Sequence, residues 1–206
     1  MKKGIFIAFE GLDGSGKTTQ FNAIRGKLAE HQIKCKEEKE PSDRNLVGLL
    51  LQGIVKKLQG LSVSPVSLAK LFSVDRYEHI LHDIKPYIDS GGNVIMDRFI
   101  FSSFAYQGLD LSYDEIYFYN RESIQLLMPD VTIFIDTPPE ICIERIIAAR
   151  VGKELFDDKL KAVRENYLEA FKRMRDTANV IIVNGNQPPE AVTEEIWRAV
   201  SPLFIN

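Results

Sequence analysis

Cysteine is scarce in this sequence. The 206 residues include two cysteines, Cys35 and Cys142, which form neither a CxxC pair nor a metal-binding spacing. This excludes a disulfide scaffold and a cysteine-based zinc site, and it is typical of proteins from a reducing compartment. We therefore expect a cytoplasmic protein with free or buried thiols.

Long apolar runs and an excess of positive charge are also absent. No apolar run approaches the roughly 20 residues that a transmembrane helix needs, so we expect no membrane partner. The chain passes from Met1-Lys-Lys directly into an apolar stretch, and we expect no signal peptide. The formal net charge is −3 at pH 7, so no basic field favours nucleic acid as a partner.

The composition that remains is that of an ordinary globular protein. Hydrophobic residues make up 45% of the chain and charged residues 27%, which excludes a disordered protein. A length of 206 residues suits one domain with a substantial core. We expect residues 1–206 to form a single domain, since neither an internal repeat nor a linker is visible.

Short apolar segments alternate with segments of helical periodicity. Strands are predicted at residues 4–10, 33–38 (an outer strand), 93–97, 131–136 and 179–183. Helices are predicted at residues 17–30, 46–58, 64–90 with a kink near Pro86, 114–128, 138–150, 156–176 and from 188 onward. Residues 99–107 are predicted to be irregular, although residues 102–107 alone also fit a turn followed by a helix. The alternation predicts an α/β fold with a parallel sheet and right-handed crossovers.

Residues 11–18, Gly-Leu-Asp-Gly-Ser-Gly-Lys-Thr, fit the phosphate-binding pattern G-x-x-x-x-G-K-[ST] at every fixed position. They lie between a predicted strand and a predicted helix, which favours a P-loop over a simple glycine-rich turn. The predicted nucleotide-binding residues are Gly11, Leu12, Asp13, Gly14, Ser15, Gly16, Lys17 and Thr18. Inward N–H groups would surround phosphate oxygens, Lys17 would reach the β- and γ-phosphates, and the Thr18 hydroxyl would bind Mg²⁺.

Asp97 and Arg98 end the third predicted strand. Ligands of parallel α/β sheets bind beyond the carboxyl ends of the strands, where the P-loop also lies. There Asp97 can hold Mg²⁺ directly or through water, and Arg98 would project toward a second phosphate group. The alternative is an exposed salt bridge at the strand end, but the position of the P-loop favours the functional interpretation.

Phe72 and Arg76 lie four residues apart on a predicted helix and therefore share one face. An aromatic ring and a planar guanidinium suit stacking on a base and bonding its edge. Taken alone, a Phe at helical spacing is more often part of a core. Residues 102–107, Ser-Ser-Phe-Ala-Tyr-Gln, add hydroxyl, phenol and amide groups that could read a base or a sugar, and their local sequence favours neither function nor structure.

A charge-dense stretch contains Arg145, Arg150 and Lys153. Such a stretch is usually the solvated face of a helix. In a phosphoryl-transfer enzyme, the same place can form a mobile lid that brings an arginine to the transferring phosphate.

Together these motifs resemble those of thymidylate kinases, the nucleoside monophosphate kinases that phosphorylate dTMP to dTDP. The resemblance runs in order along nearly the whole chain and rests on residues 9–19, Glu40-Pro41, 71–76, 97–99, 102–107, Pro129-Asp130, 135–140 and Arg145. The P-loop is generic, whereas the Asp13-Gly14 variant, the Phe72/Arg76 pair and the Ser-x-x-x-Tyr-Gln segment are specific. The resemblance implies a P-loop kinase fold: a three-layer sandwich in which helices flank a five-stranded parallel sheet. It also implies ATP as phosphate donor and Mg²⁺ as cofactor.

The resemblance implies a role for each residue that faces the acceptor nucleoside. Phe72 would stack on thymine, and Arg76 would bond the carbonyl edge of the base. Ser103 and Gln107 would face the side of the ring that carries the N–H. Tyr106 would pack beneath the deoxyribose and disfavour a 2′-hydroxyl.

It likewise implies the groups around the transferring phosphoryl group. Asp13 would approach the sugar 3′-hydroxyl, and Arg98 would bind the acceptor phosphate. Glu40 would organise the Mg²⁺ and water shell, while Thr18 and Asp97 would hold the metal. Catalysis would then consist of positioning and charge neutralisation.

The sequence departs from the family pattern before the Glu-Pro pair. Family members often have Arg there, whereas this chain has Lys39, a point charge in place of a planar fork. Arg44 lies nearby and could contact the dTMP phosphate, although the register of its helix is open.

The P-loop contains no arginine, which resembles members whose catalytic arginine comes from the lid. We place the lid at residues 145–157 and take Arg150 as its catalytic residue, with Arg145 and Lys153 as alternatives. Arg145 is expected to contact ATP.

The family is usually homodimeric, and the apolar helices at residues 46–58 and 66–88 could form the interface. Two other functions remain open. One is a kinase with a different acceptor, such as dUMP, another nucleotide or a deoxynucleoside. The other is a nucleotide-binding switch with little turnover, which the absence of the guanine-recognition sequence Asn-Lys-x-Asp makes weaker.

Overall fold

The computed structural model describes residues 3–56, 63–149 and 157–204. Its sheet contains β1 (Phe6–Gly11), β2 (Cys35–Lys39), β3 (Asn93–Asp97), β4 (Val131–Asp136) and β5 (Val180–Asn184). The strands are parallel, in the order β2-β3-β1-β4-β5. The predicted five-stranded parallel sheet is confirmed, with small shifts at some strand ends, and β2 is an outer strand as predicted.

Helices follow or precede each strand. They are α1 (Lys17–Glu30), α2 (Leu46–Val55), α3 (Pro65–His79), α4 (Lys85–Asp89), α5 (Ile100–Tyr106), α6 (Tyr113–Leu126), α7 (Pro139–Ala149), α8 (Asp157–Arg173) and α9 (Pro189–Val200). Each predicted helix has a counterpart. The predicted helix ends at residues 58 and 150 lie outside the described residues.

Alternate side chains of the central strands face opposite layers of helices. From β1, Ile7 and Phe9 pack with side chains of α1 and α9. Phe6 and Ala8 point the other way, into a cluster that includes side chains of α5, α6 and α8. Because side chains of a strand alternate with period two, a strand buried on both faces reads as a continuous apolar run. The predicted three-layer sandwich is confirmed.

The kink predicted near Pro86 takes the form of a π-helical segment, Ile80–Ile84, between α3 and α4. Within it, the Lys85 N–H donates to the Ile80 carbonyl, five residues earlier. Proline has no N–H to donate, and in a regular α-helix its ring would clash with the carbonyl four residues before it. The wider π turn accommodates Pro86 while keeping Ile84 fully buried.

The prediction of an irregular segment at residues 99–107 is wrong, and the alternative of a turn followed by a helix is correct. The structure has α5 and then a 3₁₀ turn, Gln107–Leu109. Phe99 provides no side-chain cap for α5. Instead, the carboxylate of Glu10 in β1 accepts the N–H groups of Phe99 and Ser102, at 2.8 and 3.0 Å. A cap that comes from a distant strand leaves no local sequence signal.

Neither cysteine within the described residues is in a disulfide: Cys35 is half-buried and Cys142 is buried, both as free thiols. Burial raises the pKa of the Cys35 thiol to about 12 and that of the Cys142 thiol to about 11, so both stay protonated at neutral pH. Among the helices of the described ranges, none has both the length and the apolar character needed to cross a membrane.

Candidate active site

The carboxyl edge of the sheet brings the predicted site residues together. β1 runs into the P-loop, β3 ends at Asp97, and Phe9 lies opposite Asp97 in the β1–β3 ladder. On the other side of β3, Lys39 lies opposite Asp97. Glu40, which follows Lys39, donates its N–H to the Asp97 carbonyl at 3.1 Å. Segments far apart in sequence therefore meet around one strand end.

Glycine is required at two positions of the P-loop. Gly16, the N-cap of α1, has φ +95°, and Gly14 has φ +80°. A Cβ at Gly14 would lie 2.4 Å from the Cys142 carbonyl oxygen of α7. The Ser15 carbonyl is held from outside the loop, by the Thr137 hydroxyl at 3.0 Å and by Arg145 Nη1 at 3.2 Å. The loop is thus held by Thr137, which follows β4, and by Arg145 of α7.

Lys17 and Asp97 form an ion pair in which Nζ is 2.5 Å from Oδ1. The Lys17 side chain is buried, whereas Asp97 is half-exposed. Burial, followed by repulsion from Arg98, lowers the pKa of Lys17, and the nearby Asp97 opposes this shift. Thr18 is exposed on the first turn of α1, where its hydroxyl is open to a ligand.

Arg98 adopts a left-handed backbone conformation, with φ +66°. Such a conformation costs about 1–2 kcal/mol for a residue other than glycine and is common at functional sites. The turn directs the guanidinium toward the P-loop, where Nη2 is 2.6 Å from Asp13 Oδ1 and 3.2 Å from the Tyr106 hydroxyl. The predicted residues Asp13, Arg98 and Tyr106 are therefore in contact.

A cavity of about 410 Å³ opens beside these residues, which is an ordinary size for a small-molecule site. It is lined by Asp13, Glu40, Pro41, Val55, Leu68, Phe72, Arg76, Arg98, Ser102, Ser103, Tyr106 and Gln107. These include every residue predicted to contact the acceptor except Arg44. Ser102 belongs to the segment 102–107 that was considered for base or sugar contacts. Pro41, Val55 and Leu68 were not predicted to contact a ligand, because apolar wall residues carry no chemical signal in the sequence.

Arg76 and Glu40 form the buried end of this cavity. Arg76 is 1% exposed and donates to Glu40 Oε2 from Nε at 2.9 Å and from Nη2 at 2.5 Å. Arg76 Nη1 donates to the Asn120 side chain. Burial raises the pKa of Glu40 to about 7, and Arg76 opposes the shift. The guanidinium that was expected to read the base is therefore largely occupied by protein partners.

Ser103 and Gln107 both lie on the cavity wall and are buried. The Ser103 hydroxyl has no hydrogen-bond partner among the described residues. A buried hydroxyl without a partner is costly, so a ligand that bonds to it recovers that free energy. Phe72 is half-buried on the same wall, where the face of its ring can contact a ligand.

Arg44 lies away from the cavity. Its exposed side chain is 3.6 Å from Glu38 Oε2 and 3.5 Å from Asp43 Oδ1, in the turn before α2. Arg150 and Lys153 fall outside the described residues, as does most of the predicted lid at residues 145–157.

A second cavity, of about 200 Å³, lies on the other side of the P-loop. Its lining includes Ser15, Gly16, Arg145, Gly185 and Gln187. Arg145 Nη2 donates to the Gly185 carbonyl at 3.1 Å, so this residue joins the P-loop to the segment after β5. A larger surface groove, of about 730 Å³ between the end of α8 and β5, contains no predicted site residue.

Sequence reasoning missed two buried residues behind Arg98. Glu10 and Tyr167 are both fully buried and hydrogen-bonded to each other at 2.9 Å. Glu10 does carry a sequence signal, because an acidic residue within an apolar strand needs a partner. Tyr167 carries none, since a Tyr on an amphipathic helix is ordinarily a core residue.

Known proteins resemble this chain over almost its full length. The family model for thymidylate kinase matches residues 9–196. A thymidylate kinase of Bacillus cereus (strain ATCC 10987 / NRS 248) is 32% identical over 211 residues, which cover 98% of this chain and 100% of that protein. A thymidylate kinase of Clostridium novyi (strain NT) is 34% identical over 204 residues, which cover 95% of this chain and 98% of that protein. This chain therefore belongs to the thymidylate kinase family.

Proposed function

We propose that this protein transfers the γ-phosphoryl group of ATP to dTMP, giving ADP and dTDP. Family membership supports the reaction. The observation that carries it is the pairing of two cations at the end of β1 and β3: Lys17 of the P-loop pairs with Asp97, and Arg98, the residue after Asp97, pairs with Asp13 of the P-loop. A donor phosphate on the P-loop and an acceptor phosphate on Arg98 would then be adjacent.

The cavity of about 410 Å³ that Phe72 and Arg98 line, here called the acceptor cavity, suits a deoxynucleoside monophosphate. Phe72 would stack on thymine, and the polar groups of Ser103 and Gln107 would face the ring N–H. Tyr106 would pack beneath the deoxyribose; burial raises its pKa to about 12, so the phenol keeps its proton. Arg76 would bond the base through the Nη1 hydrogen that Asn120 does not accept, since Nε and Nη2 are held by Glu40.

The cavity of about 200 Å³ beside the P-loop suits the phosphate donor, ATP. The backbone of residues 11–18 would surround the ATP phosphates, and the positive end of α1 would add to the field. Arg145, on the wall of this cavity, would contact the nucleotide. A lid at residues 145–157, with Arg150 as its cation, remains part of the proposal, as does the single domain.

Two residues beside the P-loop phosphate site offer oxygen donors for Mg²⁺. Thr18 and Asp97 offer a hydroxyl and a carboxylate, the ligand types that Mg²⁺ prefers. Within residues 3–56, 63–149 and 157–204, no group of three or more His, Cys, Asp or Glu could form a metal cage. The pair fits a metal that takes its other ligands from phosphate and water, and bound Mg²⁺ would neutralise charge on the transferring phosphates.

A homodimer in the cytoplasm is the assembly and location that we propose. α3 lies beside both α2 and α6, and these three helices carry exposed apolar side chains that include Leu49, Val74 and Phe118. Such a surface is typical of a protein–protein interface. The two free thiols agree with a reducing compartment.

The test is ADP release from ATP with Mg²⁺ and a panel of acceptors: dTMP, dUMP, dCMP, dGMP, UMP, thymidine and none. We expect the highest kcat/KM with dTMP. A different best acceptor would retain the P-loop assignment and reject the roles of Phe72, Ser103 and Gln107. ADP release that does not depend on an acceptor would reject the kinase and support a nucleotide-binding switch.

A further inference from the structure

Glu10 lies immediately before the P-loop, and its side chain reaches α5 and α8. It is fully buried, and its carboxylate accepts four hydrogen bonds. Oε1 accepts the N–H groups of Phe99 and Ser102, at 2.8 and 3.0 Å. Oε2 accepts the hydroxyls of Ser102 and Tyr167, at 2.7 and 2.9 Å. The four donors come from Phe99 and Ser102, which follow Arg98, and from Tyr167 of α8.

The backbone bonds hold the turn that carries Arg98. Phe99 follows Arg98 directly, and Ser102 lies in the first turn of α5. The strained conformation of Arg98, with φ +66°, persists only where its surroundings enforce it. Glu10 supplies that enforcement on the C-terminal side, while the Arg98 N–H donates to the Phe9 carbonyl at 2.9 Å on the other side.

The hydroxyl bonds orient the guanidinium. A carboxylate can only accept, so the hydroxyls of Ser102 and Tyr167, whose oxygens are 3.0 Å apart, donate to Glu10. Their lone pairs then face Arg98, whose Nη1 is 3.1 Å from Ser102 Oγ and 3.4 Å from the Tyr167 oxygen. Nη2, the other terminal nitrogen, is thereby directed toward Asp13 and the acceptor cavity.

Tyr167 brings α8 into this arrangement. Its ring is fully buried against Phe134 and Phe171, with centroids 4.9 and 5.9 Å away. Burial, followed by the charge of Glu10, raises the pKa of Tyr167 well above its usual range, so the phenol stays a hydrogen-bond donor. α8 follows the predicted lid in the sequence, so Tyr167 connects that helix to the acceptor site.

We propose that Glu10 and Tyr167 are positioning residues: the carboxylate orients the Ser102 and Tyr167 hydroxyls, and these fix the Arg98 guanidinium for the acceptor phosphate. The inference rests on the proposed role of Arg98. The alternative is a fully hydrogen-bonded polar cluster that only stabilises the core. A positioning role predicts that the variants lower kcat/KM for dTMP, whereas a purely structural role predicts a lower melting temperature with unchanged dTMP kinetics.

The first experiment is steady-state kinetics of Tyr167→Phe, which removes one hydroxyl and keeps the ring. We expect kcat/KM for dTMP to fall about tenfold, the usual effect of losing a hydrogen bond to a charged group. The KM for ATP should change less than about twofold, because the P-loop is untouched. Tyr113→Phe is the matched control: its ring stacks on Phe104 in the same core, at 4.8 Å, and we expect both constants to be unchanged.

The second experiment is a double-mutant cycle with Arg98→Lys, accompanied by thermal unfolding of each variant. If Tyr167 acts through Arg98, Tyr167→Phe will lower kcat/KM for dTMP in the native background and scarcely at all beside Arg98→Lys. Additive losses, or a lower melting temperature with unchanged dTMP kinetics, would overturn the proposal. Glu10→Gln should behave as Tyr167→Phe does; should it not fold, the Tyr167 cycle decides alone.

The outcome also separates this inference from the function on which it rests. If Arg98→Lys leaves dTMP kinetics unchanged, the assigned role of Arg98 is wrong and the positioning role is rejected with it. If Arg98→Lys is impaired while Tyr167→Phe matches the Tyr113→Phe control, only the positioning role is rejected.

Discussion

Carboxylates hold the two arginines of the acceptor cavity. Arg98 Nη2 is 2.6 Å from Asp13 Oδ1, and Arg76 Nη2 is 2.5 Å from Glu40 Oε2. Fixed side chains lose little conformational freedom on binding. The two pairs differ in burial: the Asp13 side chain is 66% exposed, whereas Glu40 is 3% exposed. An incoming phosphate can therefore replace Asp13 on Arg98, while Arg76 and Glu40 remain paired.

Lys17→Ala should remove most of the turnover while leaving the protein folded. In the proposed function the ammonium would supply a charge to the phosphates that no other P-loop side chain replaces, and loss of such a group typically costs about 100-fold or more in kcat. Asp97, its partner, is 30% exposed and can be solvated after the substitution. ADP release and a thermal unfolding curve measure the two properties.

The matched control for that variant is Lys27→Ala on the same helix. Lys27 pairs with Glu194 at 2.7 Å, away from both cavities. We expect its kcat to equal that of the unchanged protein. Normal turnover in Lys17→Ala would reject the role assigned to Lys17.

Glu38 should make the free energy of unfolding decrease at acid pH. Although burial alone would raise its pKa, bonds from His79 at 3.0 Å and Lys36 at 2.7 Å lower it from 4.5 to about 2. A depressed folded-state pKa gives stabilisation that is present above pH 4.5 and is lost as pH falls toward 2. The shift corresponds to a free energy of unfolding on the order of 3 kcal/mol. Urea unfolding between pH 2 and 6 measures it.

Glu38→Gln should flatten this acid dependence. Its neighbour Glu37, exposed and paired with Arg25 at 3.1 Å, provides the matched control. Glu37→Gln should retain the acid dependence, because an exposed pair contributes little. An unchanged slope in Glu38→Gln would show that other carboxylates cause the acid sensitivity.

At the scale of elements, one face of α3 holds the connection between β2 and α2. Asp75 accepts the Ser42 N–H at 2.9 Å and the Asn45 amide at 2.8 Å. Arg76, the next residue, binds Glu40. These bonds set the position of the segment that carries Pro41 into the acceptor cavity, so this helix both lines the site and fixes the opposite wall.

Asn45→Ala should weaken dTMP binding as well as stability. Asn45 is the N-cap of α2, accepting the Gly48 N–H at 2.9 Å, and α2 carries Val55 to the cavity wall. Loss of the cap should cost about 1 kcal/mol, and loss of the Asn45 bond to the buried Asp75 adds to that cost. The released helix should raise the KM for dTMP. Thermal unfolding and acceptor kinetics test both effects.

Ser112→Ala provides the comparison at the N-cap of α6. Ser112 accepts the Glu115 N–H at 3.3 Å in a capping box and does not line the cavity. We expect a smaller loss of stability, because Ser112 bonds to the exposed Glu115 and not to a buried carboxylate, with an unchanged KM for dTMP. Equal KM changes in both variants would mean that the effect follows global stability rather than the position of α2.

At the scale of the whole molecule, the exposed apolar surface of α2, α3 and α6 predicts a homodimer. Leu49 is 53% exposed and Phe118 58% exposed. Leu49→Glu combined with Phe118→Glu should halve the mass measured by light scattering at micromolar concentration, because burying unpaired charges opposes association. Ile147→Glu is the control, since Ile147 is equally exposed on α7 and should leave the mass unchanged. A monomeric unchanged protein would contradict the prediction.

Much of the candidate site could be predicted because its signals are local. The P-loop is contiguous, and Phe72 and Arg76 are joined by helical spacing. Non-local partners could not be predicted. Arg76 was expected to serve the base, yet Glu40 and Asn120 hold most of its donors. The spacing of residues in a sequence does not indicate which buried carboxylate will pair with a given cation in the folded protein.

The sequence by itself determined the α/β architecture, the phosphate-binding loop and the family. Segments that alternate between apolar strands and amphipathic helices can bury their apolar faces in few arrangements. The spacing of glycine and lysine in residues 11–18 is that of a phosphate-binding P-loop. The tertiary structure alone decided which side chains meet behind the loop. Glu10 and Tyr167 are 157 positions apart, and their contact at 2.9 Å exists only because β1 and α8 pack together. A hydrogen bond depends on distances of a few tenths of an ångström, which packing sets and sequence patterns do not record.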